Sequence, residues 1–398
     1  MVADVLGRLP PSSLAAARCV CKHWCSIIDG RRLLRDLLPL RLDGIFCSSS
    51  LREPWIPCTY FFARPPTARR IAGDLDFVDT DYRLILDHCN GLLLLTWEMT
   101  VVNPATRQWA TLPDCKSKFD PRSEWRPSPY TTHVFSSTTC KWEERFFVRQ
   151  GQPVGTIADI IGSPVDSDHH GVYFQGALYV HCQNNSVMRI ACFTNDDNKY
   201  QMIKLPSAGS KLGKYLESYL GKTDKKVYYA LLHLGNASWP HFQVWLLNDN
   251  TMEWVLRSDI SLQAVVENFA TKDFDNRCNK PWILADYRGR SATPPAQEAD
   301  ITELGNNEWD FDNGGVIIET KYDEVERYRP HLFYFLGFHP YKEIALFRLS
   351  SRVLCYQLST SKVQELGLFN VPFDMEEIPF FYTPCWMRIT GDLFSRHN

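Results

Sequence analysis

Four stretches of the chain repeat one shape: a strand-like apolar run, a polar turn, and a second run that ends on an apolar residue. They are Val101–Pro113, Ala191–Pro206, Val244–Leu256 and Leu354–Leu366. Their marker positions Trp109, Tyr200, Trp254 and Val363 lie 91, 54 and 109 residues apart. Those gaps are near one or two multiples of about 50 residues, the length of one propeller blade. A single hairpin blade cannot bury both of its faces, so such units stack side by side around an axis. The alternative is a β-sandwich whose hairpins look alike.

The rest of the chain beyond Leu40 agrees. Helical periodicity fades, and short aromatic or β-branched runs alternate with Asn, Asp, Gly and Pro. The clearest hairpin is Tyr82–Cys89, Asn90-Gly91, Leu92–Trp97, because Asn-Gly accepts the positive φ angles of a type I′ turn. Further strands are predicted at 171–181, 225–234, 242–247, 315–319, 332–337 and 344–356. The expected fold class is mainly β, antiparallel and propeller-like, behind a small N-terminal α segment. The expected divisions are 1–40 helical, 41–80 linker and first strands, and 81–390 the β domain. Asp114–Pro129 and Arg288–Asn307 read as long loops. On a propeller, such insertions often shape a binding face.

The first thirty residues have a different texture. Leu14, Ala17, Val20, Cys21, Trp24, Ile27 and Ile28 recur at helical spacing on one face. Leu9-Pro10-Pro11 interrupts the chain before them, with Ser12 or Ser13 able to cap, and Gly30 supplies a stop. Val2, Val5, Leu6 and Leu9 form a shorter apolar turn ahead of the break. Two short helices with one shared apolar face result. They either pack on their own domain or dock on a partner.

The 398 residues carry a formal net charge of −3 and are 44% hydrophobic. A large core is affordable, but there is no electrostatic case for nucleic acid or for an anionic membrane. No run reaches the roughly 18 apolar residues of a membrane helix, and the N-terminus does not read as a secretory signal. Thirteen scattered cysteines read as reduced thiols of the cytosol or nucleus.

The N-terminal residues closely resemble the F-box motif, most specifically in Arg18-Cys-Val-Cys-Lys-His-Trp24, which is similar to the plant form. In that family the motif binds the Skp adaptor of a cullin–RING ubiquitin ligase. By position, the resemblance assigns Leu6, Leu9, Pro10, Leu14, Val20, Cys21 and Trp24 to making or supporting that contact. The family motif normally starts several residues earlier, so part of the usual adaptor surface is expected to be missing. A ligase-independent binding module is therefore the second reading.

The β body resembles the plant F-box-associated domain, a kelch-like β-propeller. The resemblance rests on His88–Leu93 with Asn103–Trp109, Val172–Tyr179, Val244–Leu247 with Glu253-Trp254, and Phe338–Glu343 leading to Leu358. It implies a domain that recruits the protein to be ubiquitinated. Loop aromatics Trp125, Tyr130, Trp239 and Trp309 are the candidates for target contact, since Trp and Tyr dominate interface hot spots.

Residue patterns for other chemistry are weak. Cys19, Cys21, His23 and Cys25 lack the spacing of a zinc site, and the Asp74–Asp81 run lacks the glycine and glutamate of a calcium loop. That run reads instead as a strand edge, and His169-His170 as a polar turn. No nucleophile elbow, phosphate loop, dinucleotide fingerprint or metalloprotease motif occurs. The expectation is a non-catalytic chain with no cofactor and no metal. A propeller enzyme or glycan-binding lectin is the remote alternative, resting on fold analogy alone.

Overall fold

The computed structural model describes residues 2–6, 17, 20–21, 23–24, 27–28, 42–50, 57–64, 71–80, 83–115, 130–137, 139–151, 171–182, 186–191, 198–206, 215–223, 225–234, 239–270, 282–285, 316–317, 333–369 and 377–385. Among them, strands fall into five sheets in a propeller-like arrangement. Blade 1 is built from β1 (Gly44–Ser50) and β2 (Pro57–Ala63). Blade 2 holds β3 (Ile85–Cys89), β4 (Leu92–Leu95), β5 (Thr100–Asn103) and β6 (Gln108–Thr111). Blade 3 holds β7 (Tyr130–Ser136), β8 (Lys141–Gln150), β9 (Gly171–Phe174), β10 (Ala177–Cys182), β11 (Ser186–Ala191) and β12 (Lys199–Lys204). Blade 4 holds β13 (Tyr215–Lys222), β14 (Val227–Leu234), β15 (His241–Asn248) and β16 (Glu253–Ser261). Next come α2 (Gln263–Ala270), which follows the N-terminal α1 (Val2–Leu6), and then β17 (Ile283–Ala285). Blade 5 is β18 (Val316–Ile317), β19 (Phe333–Phe338), β20 (Ile344–Leu349), β21 (Arg352–Gln357) and β22 (Lys362–Leu368). The last strand is β23 (Glu377–Tyr382).

Blade 1 is where the ring closes. Its order is β17-β2-β1-β23, so early strands pair with the last one, Gly44 opposite Tyr382 and Ser49 opposite Glu377. The stretch 41–80, set apart in sequence as linker and first strands, thus supplies two strands of a blade. Residues 74–80 of the 74–81 run are not a strand edge. Residues 71–80 form successive turns that bury Leu75 and Val78, with Leu75 at φ 51°. Short-range turn bonds such as Gly73 N–H to Ile71 O outcompete strand pairing there.

The repeated unit is one conserved turn geometry within this chain. In β5–β6 the Asn103 Oδ1 accepts the N–H groups of Ala105 and Thr106, and Arg107 takes φ 56°. In β15–β16 the Asn248 Oδ1 accepts from Asn250 and Thr251, and Met252 takes φ 55°. In β21–β22 Ser361 donates to Gln357 O at 2.9 Å and takes φ 57°. An Asx-type turn in the first two, and one left-handed residue in all three, returns the chain on itself. Register then sets Trp109 opposite Val102, Trp254 opposite Leu247 and Val363 opposite Tyr356.

The spacing between markers needs a correction. All four sit in the last strand in chain order of successive blades, β6, β12, β16 and β22, so gaps of 91 and 109 residues are each one blade, not two. The extra length before Tyr200 contains the β7–β8 ribbon, joined to β12 by a parallel pairing at Lys199–Val148. The extra length before Val363 contains α2, β17 and β18. The predicted strands at 171–181 and 344–356 are hairpins rather than single strands. Gln175 and Gly176, both at positive φ, reverse the first, and Ser350 at φ 54° turns the second.

Apolar cores fill the gaps between blades. Phe46, Phe61, Leu93, Leu95, Val102 and Tyr382 join blades 1 and 2. Phe174, Leu220, Tyr229 and Trp245 join blades 3 and 4. Phe242, Phe338 and Phe347 join blades 4 and 5, with Val265, Val266 and Phe269 of α2 packed against them. Trp282 and Phe62 join blades 5 and 1. β14 is buried at every position, since it is the middle of a sheet covered on both faces.

Candidate functional site

The N-terminal segment forms a small core of its own. Leu6, Ala17 and Ile28 are buried together, with Trp24 and Ile27 packed against them. This is part of the shared apolar face expected from periodicity; Val20 and Cys21, expected on the same face, are not in it. The backbone N–H of Trp24 donates to Cys21 Sγ at 3.4 Å, and that of Val20 donates to Ala17 O. Burial turns Leu6 and half-buried Trp24 inward. Outside that core stand Val20, 65% exposed, Val5, 60% exposed, and Val2, 42% exposed, with Cys21 also exposed. Leu9, Pro10 and Leu14 lie outside the described residues. Sequence grouped Val2, Val5 and Leu6 as one turn; only the packing separates inward Leu6 from outward Val5.

The aromatics expected at a target face divide differently. Trp239 is half-buried against the core between blades 4 and 5. Tyr130 opens β7 opposite Phe147. Trp125 and Trp309, like His169-His170, lie outside the described residues. Exposed apolar side chains occur elsewhere: Phe146 and Val148 on β8, Val255 and Leu256 on β16.

The motif Phe338–Glu343 is structural. His339 is buried, and its Nδ1 accepts the N–H groups of Tyr341 and Lys342, shaping the β19–β20 turn. Burial, with help from Lys342 and Arg64, holds its pKa down to about 3, so the ring stays a neutral acceptor. Among the described residues no three or more His, Cys, Asp or Glu side chains are placed to hold a metal, and no helix is long and apolar enough to cross a membrane.

The edge strands β3, β9, β13, β19 and β23, one from each sheet, surround the axis. β13 touches β9 and β19, and β19 touches β23, while the His88 ring lies 5.5 Å from that of Phe380. Here polar groups gather. Lys222 Nζ donates to Tyr173 O at 2.5 Å. Burial lowers the Lys222 pKa and Cys89 opposes that shift. Burial raises the Cys89 pKa, Lys222 lowers it and Asp87 raises it. Glu217 touches water yet is walled in by protein, and that loss of hydration pushes its carboxyl up to about 7, against a backbone hydrogen bond at Phe335. Nothing in the sequence singled out this group; blade topology assembles it.

Comparison with known proteins bears on both parts. The F-box domain family model matches residues 1–36. Three Arabidopsis thaliana proteins, named Putative F-box protein At1g46840, At1g53370 and At5g44220, are similar over longer stretches. They are 24%, 23% and 32% identical over 267, 287 and 131 residues, covering 55%, 60% and 30% of this chain. The matches span 54%, 71% and 41% of those proteins, so the first relative is covered over about half its length. The chain thus carries an F-box domain at residues 1–36, ahead of a five-blade, propeller-like β body.

Proposed function

We propose that this protein is the substrate-recognition subunit of a Skp–cullin–F-box ubiquitin ligase. The observation that carries the reading is an F-box match at residues 1–36 joined to a large body of a different, mainly β architecture. The helical unit holds the Skp adaptor, and through it the cullin and RING subunits. The β body holds a target protein. The chain supplies no nucleophile. It acts by proximity, raising the target's effective concentration beside the ubiquitin-charged enzyme, and it works in the cytosol or nucleus.

The outward valines make the contact and the inward residues hold them in place. Titration of the full chain against the Skp adaptor tests this. Val20→Asp replaces an exposed apolar group with a charge, and should weaken adaptor binding about tenfold or more with no change in unfolding temperature. Trp24→Ala should also weaken it, by loosening the Leu6–Ala17–Ile28 core. Unchanged affinity in both variants, or no binding by the unaltered chain, would overturn the assignment.

A further inference from the structure

Lys222 ends β13, Cys89 ends β3, and Tyr173 lies on β9, so three blades meet at this end of the axis. An ammonium group has three N–H donors. Among the described residues Lys222 spends one, on the neutral carbonyl of Tyr173, and makes no ion pair with a carboxylate. Neither nearby acid pairs with Lys222 among the described residues. Asp87 Oδ1 accepts the His88 backbone N–H at 2.7 Å, its charge acting on Cys89 and Tyr219 rather than on Lys222, and Glu217 lies on the opposite face of β13, five residues earlier in a strand of alternating faces. The charge that acts on Lys222 is that of the Cys89 thiol, and Cys89 is exposed. A cation stripped of much of its hydration and given only a carbonyl and a thiol is under-compensated. An anionic oxygen group arriving along the axis would supply the missing charge and accept the remaining donors.

We propose that Lys222 and Cys89 form an anion-receiving site at the axis of the ring, taking a carboxylate or phosphate group presented by the target protein. The source of the anion rests on the receptor reading above; the site itself does not.

Alkylation of Cys89 measures it directly in the full-length protein. In this reaction the thiolate attacks the reagent's CH2 carbon, iodide leaves with the C–I pair, and the thiol proton passes to buffer. Anionic iodoacetate and neutral iodoacetamide are compared by mass spectrometry, with the free thiols Cys115 and Cys140 as references in the same digest. The iodoacetate-to-iodoacetamide ratio at Cys89 should exceed that at the references by about fivefold or more. Lys222→Gln should remove the excess, and Asp87→Asn should enlarge it. A ratio at Cys89 equal to the references, no reaction at Cys89, or an excess that survives Lys222→Gln would overturn the site. The unaltered protein gives the decisive ratio even where a variant fails to fold.

Sodium acetate and inorganic phosphate are then added as protectants against iodoacetamide. Slowing by acetate assigns a carboxylate, and slowing by phosphate assigns a phosphorylated residue. Slowing by neither overturns the proposal. Adaptor titration is independent of all these readings, so failure here leaves the ligase assignment standing.

Discussion

A side-chain carbon placed on Gly91 would lie 2.6 Å from the backbone nitrogen of Cys385. The Asn90-Gly91 hairpin of blade 2 is therefore pressed against the segment that follows the last strand of blade 1. Two requirements fall on one residue: φ 80° for the turn and no Cβ for the contact. Asn103 reinforces the same junction, its Nδ2 donating to Cys385 O at 3.0 Å.

Gly91→Ala should therefore destabilise the protein by about 2–4 kcal/mol, combining left-handed backbone strain with a clash against main chain that cannot swing aside. Asn90→Ala, at φ 50° without that contact, should cost about 1 kcal/mol. Urea unfolding of the two variants checks the ordering; equal losses would mean the close approach is absent.

Trp282 fastens blade 5 to blade 1. It is almost fully buried, its ring centroid is 5.3 Å from that of Phe62, and its backbone N–H donates to Leu366 O at 3.2 Å. It also leads into β17, which pairs with β2. Trp282→Ala should cost about 3–5 kcal/mol. Thermal unfolding followed by near-ultraviolet circular dichroism reads the loss. A change below about 1 kcal/mol, the level of a surface substitution, would remove this residue from ring closure.

Arg352 and Glu365 form a largely buried ion pair across β21 and β22 at 2.8 Å. Arg352→Ala takes a charged partner from a largely buried carboxylate, so it should cost about 3 kcal/mol. Arg352→Met with Glu365→Leu should recover most of that, because an apolar pair needs no desolvation of charge. A double variant no more stable than the single one would contradict the account.

Two groups give opposite pH dependences. His339 is held near pKa 3, far below its unfolded value, so the unfolded chain binds a proton that the folded chain refuses. Its stabilisation is complete above about pH 6.5 and falls by up to about 1.4 kcal/mol per pH unit on acidification toward pH 3. Glu217 titrates near 7 in the fold. The folded chain holds the extra proton between about pH 4.5 and 7, so this group favours folding in acid and loses that contribution as pH rises through 7. Glu217→Gln should flatten stability over pH 4.5–7 and gain relative to the unaltered protein at pH 8. His339→Gln should weaken the acid dependence below pH 6. Unfolding midpoints across pH 4–8 test both signs.

Local chemistry was legible where neighbours in sequence are neighbours in space. Asn90-Gly91 folds as the I′ hairpin it spells, the Asn103 and Asn248 turns follow from side chains that satisfy their own backbone, and the alternation of apolar positions marks the blade strands. The N-terminal apolar spacing likewise predicted a shared core for Leu6, Trp24 and Ile28. Blade count was not legible, because a repeat marker fixes the strand it sits in but not whether the intervening chain makes another blade or an insertion. Nor were Val5 and Val20 separable from Leu6 by periodicity, since which side of a short helix faces inward depends on the partner helix. The sequence by itself determined the hairpins, the turns and the helical–β division, which are short-range. Tertiary structure alone decided that β1 pairs with β23 across the whole chain, that β17 leaves its neighbours for β2, and that Lys222 meets Cys89 at the axis. Those contacts join residues more than a hundred positions apart, and only the packing of five blades around one axis brings them together.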